Sequence, residues 1–278
     1  MKEIEILHLI GFDADSVSVI VKRNKLIKQE FFDYDSFCTD TQKHIKSIEK
    51  YCKKNKLNIY EIMLGVYCQL SLVVYDRYKA EGISNKIFSD TFKDLLIWSQ
   101  VCLKLYGILG LKEYVWLQHH IKLNLFRLGR LQFLPQNCSK KYILPNGTTI
   151  LANDTVLTVH IPDDGRLGYD ECQKSYNTAI KFFNKRGINT KVFMCESWLL
   201  NNNLKSLLAP ETNIIKFQND YKVFDGDENS RQAEERIFEF DIKSDPKLYP
   251  QSTSLQKKLR QYLIDGGKMG TKIGLFAR

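Results

Sequence analysis

TVLTVHI (155–161), PDDGRLG (162–168) and YDECQKSYNTAIKFFNK (169–185), followed by a second apolar run that ends in CESWLL (195–200), decide how this chain folds. The first run is rich in β-branched residues and reads as a strand. In the third, Cys172, Tyr176, Ala179 and Phe183 recur at helical spacing and face a sheet, while Lys174, Asn177, Lys181 and Lys185 face water. Gly168 stands as N-cap with Glu171 at the third position, as in a partial capping box, and Gly187 closes the helix. Asn189–Cys195 reads as the next strand. The order strand, glycine-bearing turn, helix, strand suits a phosphate-bearing ligand, because the unpaired N–H groups and positive dipole end of a helix start attract anions. Most such units merely pack, so the geometry alone does not decide function.

The chain has 278 residues, 44% hydrophobic and 12% aromatic, enough apolar material for one large domain or two ordinary ones. A formal charge of +9 suits an anionic partner such as CoA, nucleic acid or an acidic membrane, yet Asp and Glu still total 32. The seven cysteines are odd in number, scattered and never in a CxxC pair, which signals neither a disulfide framework nor zinc. MKEIEILHLI at the start has no long apolar core, and no run of about 18 apolar residues is read as a span, so a reducing cytoplasm without membrane contact is the expected setting.

From Thr41 to about Leu105 the pattern is helical. TQKHIKSIEKYCKKNK (41–56) places Ile45, Ile48 and Cys52 on one face and lysines on the rest, a solvated surface rather than a nucleic-acid patch. Ile59–Lys79 is apolar on most sides, and a third helix runs over about 89–105. After KEYVWLQHHIKL the character changes. RLGRLQF (127–133) alternates like a strand, which sends Arg127 and Arg130 to opposite faces, one of them toward a buried ion pair. YILPNGTTILA (142–152) carries an Asn-Gly turn between β-prone pieces. The change falls near 112–122, which divides the chain into a helical domain over 1–114 and an α/β domain over 115–278. Further on, 199–208 and 212–219 read as short helices, 225–235 as an acidic loop, and RIFEFD (236–241) as a strand. Ser252 or Thr253 caps a helix through Ile264, and 272–276 supplies a last strand. His119 and His120 diverge by about 100° on a helix, and no carboxylate nearby in sequence completes a metal site.

RLGRLQF, VHIPDDGRL (159–167), CESWLL, NIIKFQ (213–218) and YPQSTSLQKKLRQYL (249–263) together resemble a bacterial family of acyltransferase-domain proteins. Its members join a helical N-acyltransferase N-terminal domain to a C-terminal domain similar to the GNAT fold. The fold class implied is α+β. The resemblance implies a mixed sheet whose two central parallel strands, here 155–161 and 189–195, splay apart to admit the pantetheine arm of acetyl-CoA or a longer acyl-CoA co-substrate. The pyrophosphate then rests on the helix start, among Ile161, Gly165, Arg166, Leu167, Gly168 and Tyr169. The GNAT signature there is Gln or Arg, two residues, Gly, one residue, then Gly or Ala. This chain has Arg166, Leu167, Gly168, Tyr169 and Asp170, with one glycine, and Asp170 and Glu171 compete for the same positive end.

Acyl transfer to a small-molecule or peptide amine needs a proton acceptor, an oxyanion site and a route for a proton to the leaving thiolate, with no metal. His160, at the end of the first splayed strand, is a candidate base or a structural histidine of the sheet. Glu196 and Ser197 follow the second. Glu196 beside Trp198 is a relay if burial raises its pKa, and Ser197 is either part of the site or the cap of the next helix. Trp198 and Cys195 read as core. The alternative to an acyl-CoA-dependent acyltransferase is a GNAT-like fold kept as a non-catalytic ligand-binding or protein-interaction module.

Overall fold

The computed structural model describes residues 1–278 and resolves into two compact units, Met1–Leu128 with Pro162–Asp164, and Gly129–Ile161 with Gly165–Arg278. In the first unit, α1 (Glu3–Ile10), α2 (Ala14–Asn24), α3 (Tyr34–Thr39), α4 (Thr41–Asn55), α5 (Ile59–Ala80), α6 (Asn85–Tyr106) and α7 (Tyr114–Ile121) precede a short strand, β1 (Phe126–Leu128), that lies against α6. The helix starts are chemically marked. Asn58 accepts from the amide of Tyr60 at 2.9 Å and Ser84 from that of Ile87 at 3.3 Å. In α4, Ile45, Ile48 and Cys52 are buried as their spacing requires.

α5 follows the expected range to within one residue, but its apolar content exceeds what the sequence reading assigned. Its 22 residues include a window of mean hydropathy 1.2, long and apolar enough to cross a membrane, and that window is 61% buried inside the unit. Its all-round apolar surface is spent on α2, α6, α7, α1 and α4, which pack around it.

The second unit is built on a mixed sheet. β2 (Leu131–Asn137) runs antiparallel to β5 (Thr155–His160), and β5 runs parallel to β6 (Val192–Ser197). β6 then pairs antiparallel with β8 (Lys272–Ala277), which pairs antiparallel with β7 (Lys222–Phe224). A ribbon of β3 (Tyr142–Ile143) and β4 (Thr149–Ile150) flanks the Asn-Gly turn, where Gly147 takes φ 83°. The helix expected between the parallel strands is α8 (Tyr169–Lys185), and Cys172, Tyr176, Ala179 and Phe183 are all fully buried on its sheet side. Phe133, Phe193 and Phe276 meet Tyr176 there, with ring centroids 6.1, 4.9 and 5.0 Å away. This face is therefore closed core.

The remaining helices are α9 (Leu204–Leu207), α10 (Asn213–Asn219), α11 (Gln232–Ile237) and α12 (Ser254–Ile264). RIFEFD is not a strand: α11 covers its start, Glu239 and Phe240 turn the chain with φ 56° and 66°, and Phe238 stacks on Tyr249 at 3.8 Å. The alternation of apolar residues served a helix end and a stacking contact instead of a pleat. The second parallel strand runs from Val192 to Ser197 rather than 189–195, because pairing with β8 continues to Ser197 opposite Lys272.

Candidate active site

β5 and β6 pair side by side only at Leu157 with Phe193 and Thr158 with Met194, although the strands continue to His160 and Ser197. Past that point each strand keeps its outer neighbour. β5 stays registered with β2 through Gln132 opposite His160, and β6 with β8 through Ser197 opposite Lys272. The C-terminal ends of the two parallel strands thus bear backbone that they do not offer each other, a gap that opens toward the 161–168 turn. Strand alternation fixes what looks out of it. Val156 shares a buried cluster with Met194 on the face away from α8, so His160, Gln132 and Glu196 project on that same face.

His160 is half-buried. The Thr158 hydroxyl donates to the carbonyl of Leu134 at 2.9 Å, and the same oxygen lies 3.1 Å from His160 Nε2. The imidazole is thereby tied to the Thr158 hydroxyl, which links β5 to the Leu134 carbonyl of β2.

Glu196 and Ser197 lie within β6 rather than after it and part company. Glu196 is solvent-exposed, so burial beside Trp198 does not apply to it, and it accepts a 3.4 Å bond from the Thr271 hydroxyl. Ser197 is buried on the opposite face. Its oxygen accepts from the amide of Leu199 at 3.2 Å, capping the turn Trp198–Leu200, and its hydroxyl donates to Gln232 at 3.4 Å. Trp198 sits in a core cluster with Leu204, Ile215 and Tyr249, against which Ile161 and Leu167 pack. Cys195 is fully buried, and burial first, then Glu196 and Cys172, push its thiol up to about 12, which leaves it protonated.

Residues of the turn find partners within their own units. Gly129, at φ 87°, breaks the alternation of RLGRLQF, so Arg127 in β1 and Arg130 beyond the turn do not share a strand as expected. Arg127 grips Asp164 with two parallel bonds of 2.7 and 3.0 Å, joined by Lys93 at 3.2 Å. Burial alone would raise the Asp164 pKa, but the bonds and charges of Arg127 and Lys93 outweigh it and hold the carboxyl below its usual range. Arg130 donates to the carbonyls of Gly165 at 2.7 Å and Arg166 at 2.8 Å. Gly168 then caps α8 with no side chain on the helix start, leaving the amides of Tyr169, Asp170 and Glu171 without an acceptor in the chain. Gly165 and Arg166 are exposed, and Ile161, Leu167, Gly168 and Tyr169 are partly so. Tyr169 sends its hydroxyl to Asp220 at 2.9 Å, away from the turn. The Glu171 carboxylate leans over Gly168, where an added Cβ would come within 2.5 Å of its oxygen.

His119 and His120 do diverge, but one finds a carboxylate that sequence spacing hid. His120 Nε2 lies 3.0 Å from Asp94, both buried, while burial, then His120 and Lys122, lower the His119 pKa. No group of three or more His, Cys, Asp or Glu side chains gathers anywhere in the chain.

Residues 125–276 match the family described as the GNAT-like C-terminal domain, and residues 1–123 match the N-acyltransferase N-terminal domain. No curated protein matches in a sequence search. Among solved structures, an acyltransferase in complex with decanoyl-CoA and teicoplanin superposes with TM-score 0.73 at 19% identity, covering 98% of this chain and 86% of that one. A tryptophan-to-alanine variant acyltransferase in complex with octanoyl-CoA gives the same TM-score, identity and coverage. An acyltransferase in complex with CoA and 10C-teicoplanin gives 0.73 at 18%, again over 98% and 86% of the two chains. The chain belongs to the family of the GNAT-like C-terminal domain, joined to an N-acyltransferase N-terminal domain.

Proposed function

We propose that this protein transfers an acyl group from an acyl-CoA thioester to an amine by direct attack. The observation that carries the reading is the loss of pairing between β5 and β6 after Thr158 and Met194, next to a helix start with unclaimed amides. An extended arm entering that gap meets backbone hydrogen-bonding groups on both lips, while its pyrophosphate meets the amides of 169–171 and the exposed cationic side chain of Arg166. The His160 imidazole takes the proton of the attacking amine as the C–N bond forms. The C–S bond then breaks, and the imidazolium returns that proton to the thiolate, so an amide and free CoA thiol leave. Glu196, exposed on the facing lip, favours approach of a cationic amine and relays its first proton to solvent. Ser197 acts as a cap and has no part in the chemistry.

The solved relatives bind decanoyl- and octanoyl-CoA and a glycopeptide, which supports medium acyl chains and a large amine-bearing acceptor as the first substrates to examine. The test is thiol release from acetyl- to decanoyl-CoA in the presence of an amine panel, alongside thermal shift with each thioester. Absence of both stabilisation and thiol release across the panel defeats the proposal and favours a non-catalytic module.

A further inference from the structure

Gln132 is only 2% exposed, yet its amide nitrogen is buried with no hydrogen-bond acceptor in the chain. Such a group is rare, because an amide removed from water without a partner destabilises the folded state. Nothing in the local fold demands it. The neighbouring positions on this face of β2 and β5 carry Leu134, Val156 and Thr158, and Thr158 is satisfied by the Leu134 carbonyl. A leucine or methionine at 132 would fit the same strand without an orphan. Gln132 is the direct cross-strand partner of His160, which puts the two Cβ atoms about 5 Å apart on one face. The unpaired donor therefore stands beside the candidate base, at the strand end where β5 leaves β6.

We propose that Gln132 donates its Nε2–H to the carbonyl oxygen of the acyl thioester, a catalytic contact that strengthens as negative charge develops on that oxygen. The assignment rests on the acyl-transfer reading. In the addition step the amine nitrogen bonds to the carbonyl carbon, the C=O π pair moves onto oxygen, and the Gln132 N–H meets that oxygen while His160 takes the nitrogen's proton. Collapse restores the C=O bond and expels the thiolate. A donor fixed in a dry site needs no reorganisation when the charge appears, and loss of one such donor lowers kcat by about 10²–10³-fold.

The experiment compares wild type with Gln132→Met and Gln132→Asn in thiol-release kinetics and thermal unfolding. Methionine keeps length and burial and removes the orphan, so Tm rises by roughly 2–8 °C. At the same time kcat falls by about 10²–10³-fold with KM for acyl-CoA little changed, the mark of an interaction made in the transition state. Asn keeps the donor on a shorter arm and restores part of kcat. A residue that merely supports the fold would show the reverse, with lower Tm and activity lost only in proportion to folded protein. An active wild type whose kcat survives in Gln132→Met overturns this inference alone, whereas a wild type that releases no thiol overturns the acyl-transfer reading together with it.

Discussion

Replacing Asp164 with asparagine tests whether the turn ahead of α8 is held by charge. The side chain is 12% exposed, and Arg127, itself 11% exposed, meets it with two bonds, while Lys93 at 45% exposure adds a screened third contact. The asparagine side chain would keep the shape, accept one bond and lose the charge. A hydrogen bond to a charged group contributes about 1.5–3 kcal/mol, and a pair exposed like Lys93 contributes little, so the expected loss is about 2 kcal/mol. At roughly 2–4 °C per kcal/mol for a chain of this size class, Tm falls by about 4–8 °C. The pH dependence carries the sign. Because the folded carboxyl is held below an unfolded value of about 3.9, its contribution is complete above that value and is lost as pH falls through the lower folded one. The gap between wild type and Asp164→Asn is therefore full at pH 7 and narrows below about pH 4. Urea unfolding of Arg127→Met, Asp164→Asn and the double variant gives the coupling directly. Independent, additive losses, or a gap that does not change with pH, would refute the reasoning.

His160→Gln keeps a polar partner for the Thr158 hydroxyl and removes the imidazole base, so folding is retained while kcat falls by about 10²–10⁴-fold; an unchanged rate in the thiol-release assay removes the base assignment. Glu171→Gln takes away the carboxylate that leans over Gly168, and titration calorimetry at low salt should show CoA bound about 2–5-fold more tightly, whereas equal or weaker binding places the anion elsewhere. Gly129→Ala forces a side chain into φ 87° and to within 2.7 Å of the Ser175 hydroxyl, which is fixed by bonds of 2.9 Å to the Arg130 amide and the Glu171 carbonyl. A loss of about 2 kcal/mol in urea unfolding is expected, and a neutral result would mean that the 127–133 bend is not strained as described.

The backbone of the site was legible because its signals are local. The period of Cys172, Tyr176, Ala179 and Phe183 specifies one buried helix face, and the β-branched run before His160 specifies a strand, with Gly168 between them. What failed to show in the sequence depends on partners far along the chain. Arg127 and Arg130 looked like opposite faces of one strand because φ at Gly129 is a tertiary choice that Ser175 enforces. Ser197 and Glu196 were adjacent candidates, but the registry of β6 with β8 turns them to opposite faces and leaves Ser197 to cap a turn. Gln132 sat within a recognised motif, and only its missing acceptor, a property of every neighbour at once, sets it apart.

The single glycine of the 166–170 segment looks like a weakened anion site when read as a string, and under the proposed acyl-CoA reading Arg130 takes over part of what a second glycine would provide. Glycines in such turns let bare amides face a ligand. Here Arg130 holds the carbonyls of Gly165 and Arg166 on its own side. In a trans peptide the N–H lies opposite the carbonyl of the same plane, so the amides of Arg166 and Leu167 are turned away from Arg130. On the proposed reading, a guanidinium fixed outside the turn orders the peptide planes of 165–167 before any ligand arrives, and the solvent-exposed carboxylates of Asp170 and Glu171 oppose an anion there. Under the proposal, affinity at this turn is therefore a balance between backbone orientation imposed from just before β2 and side-chain charge on α8, and the two can be varied separately because they reside on different elements.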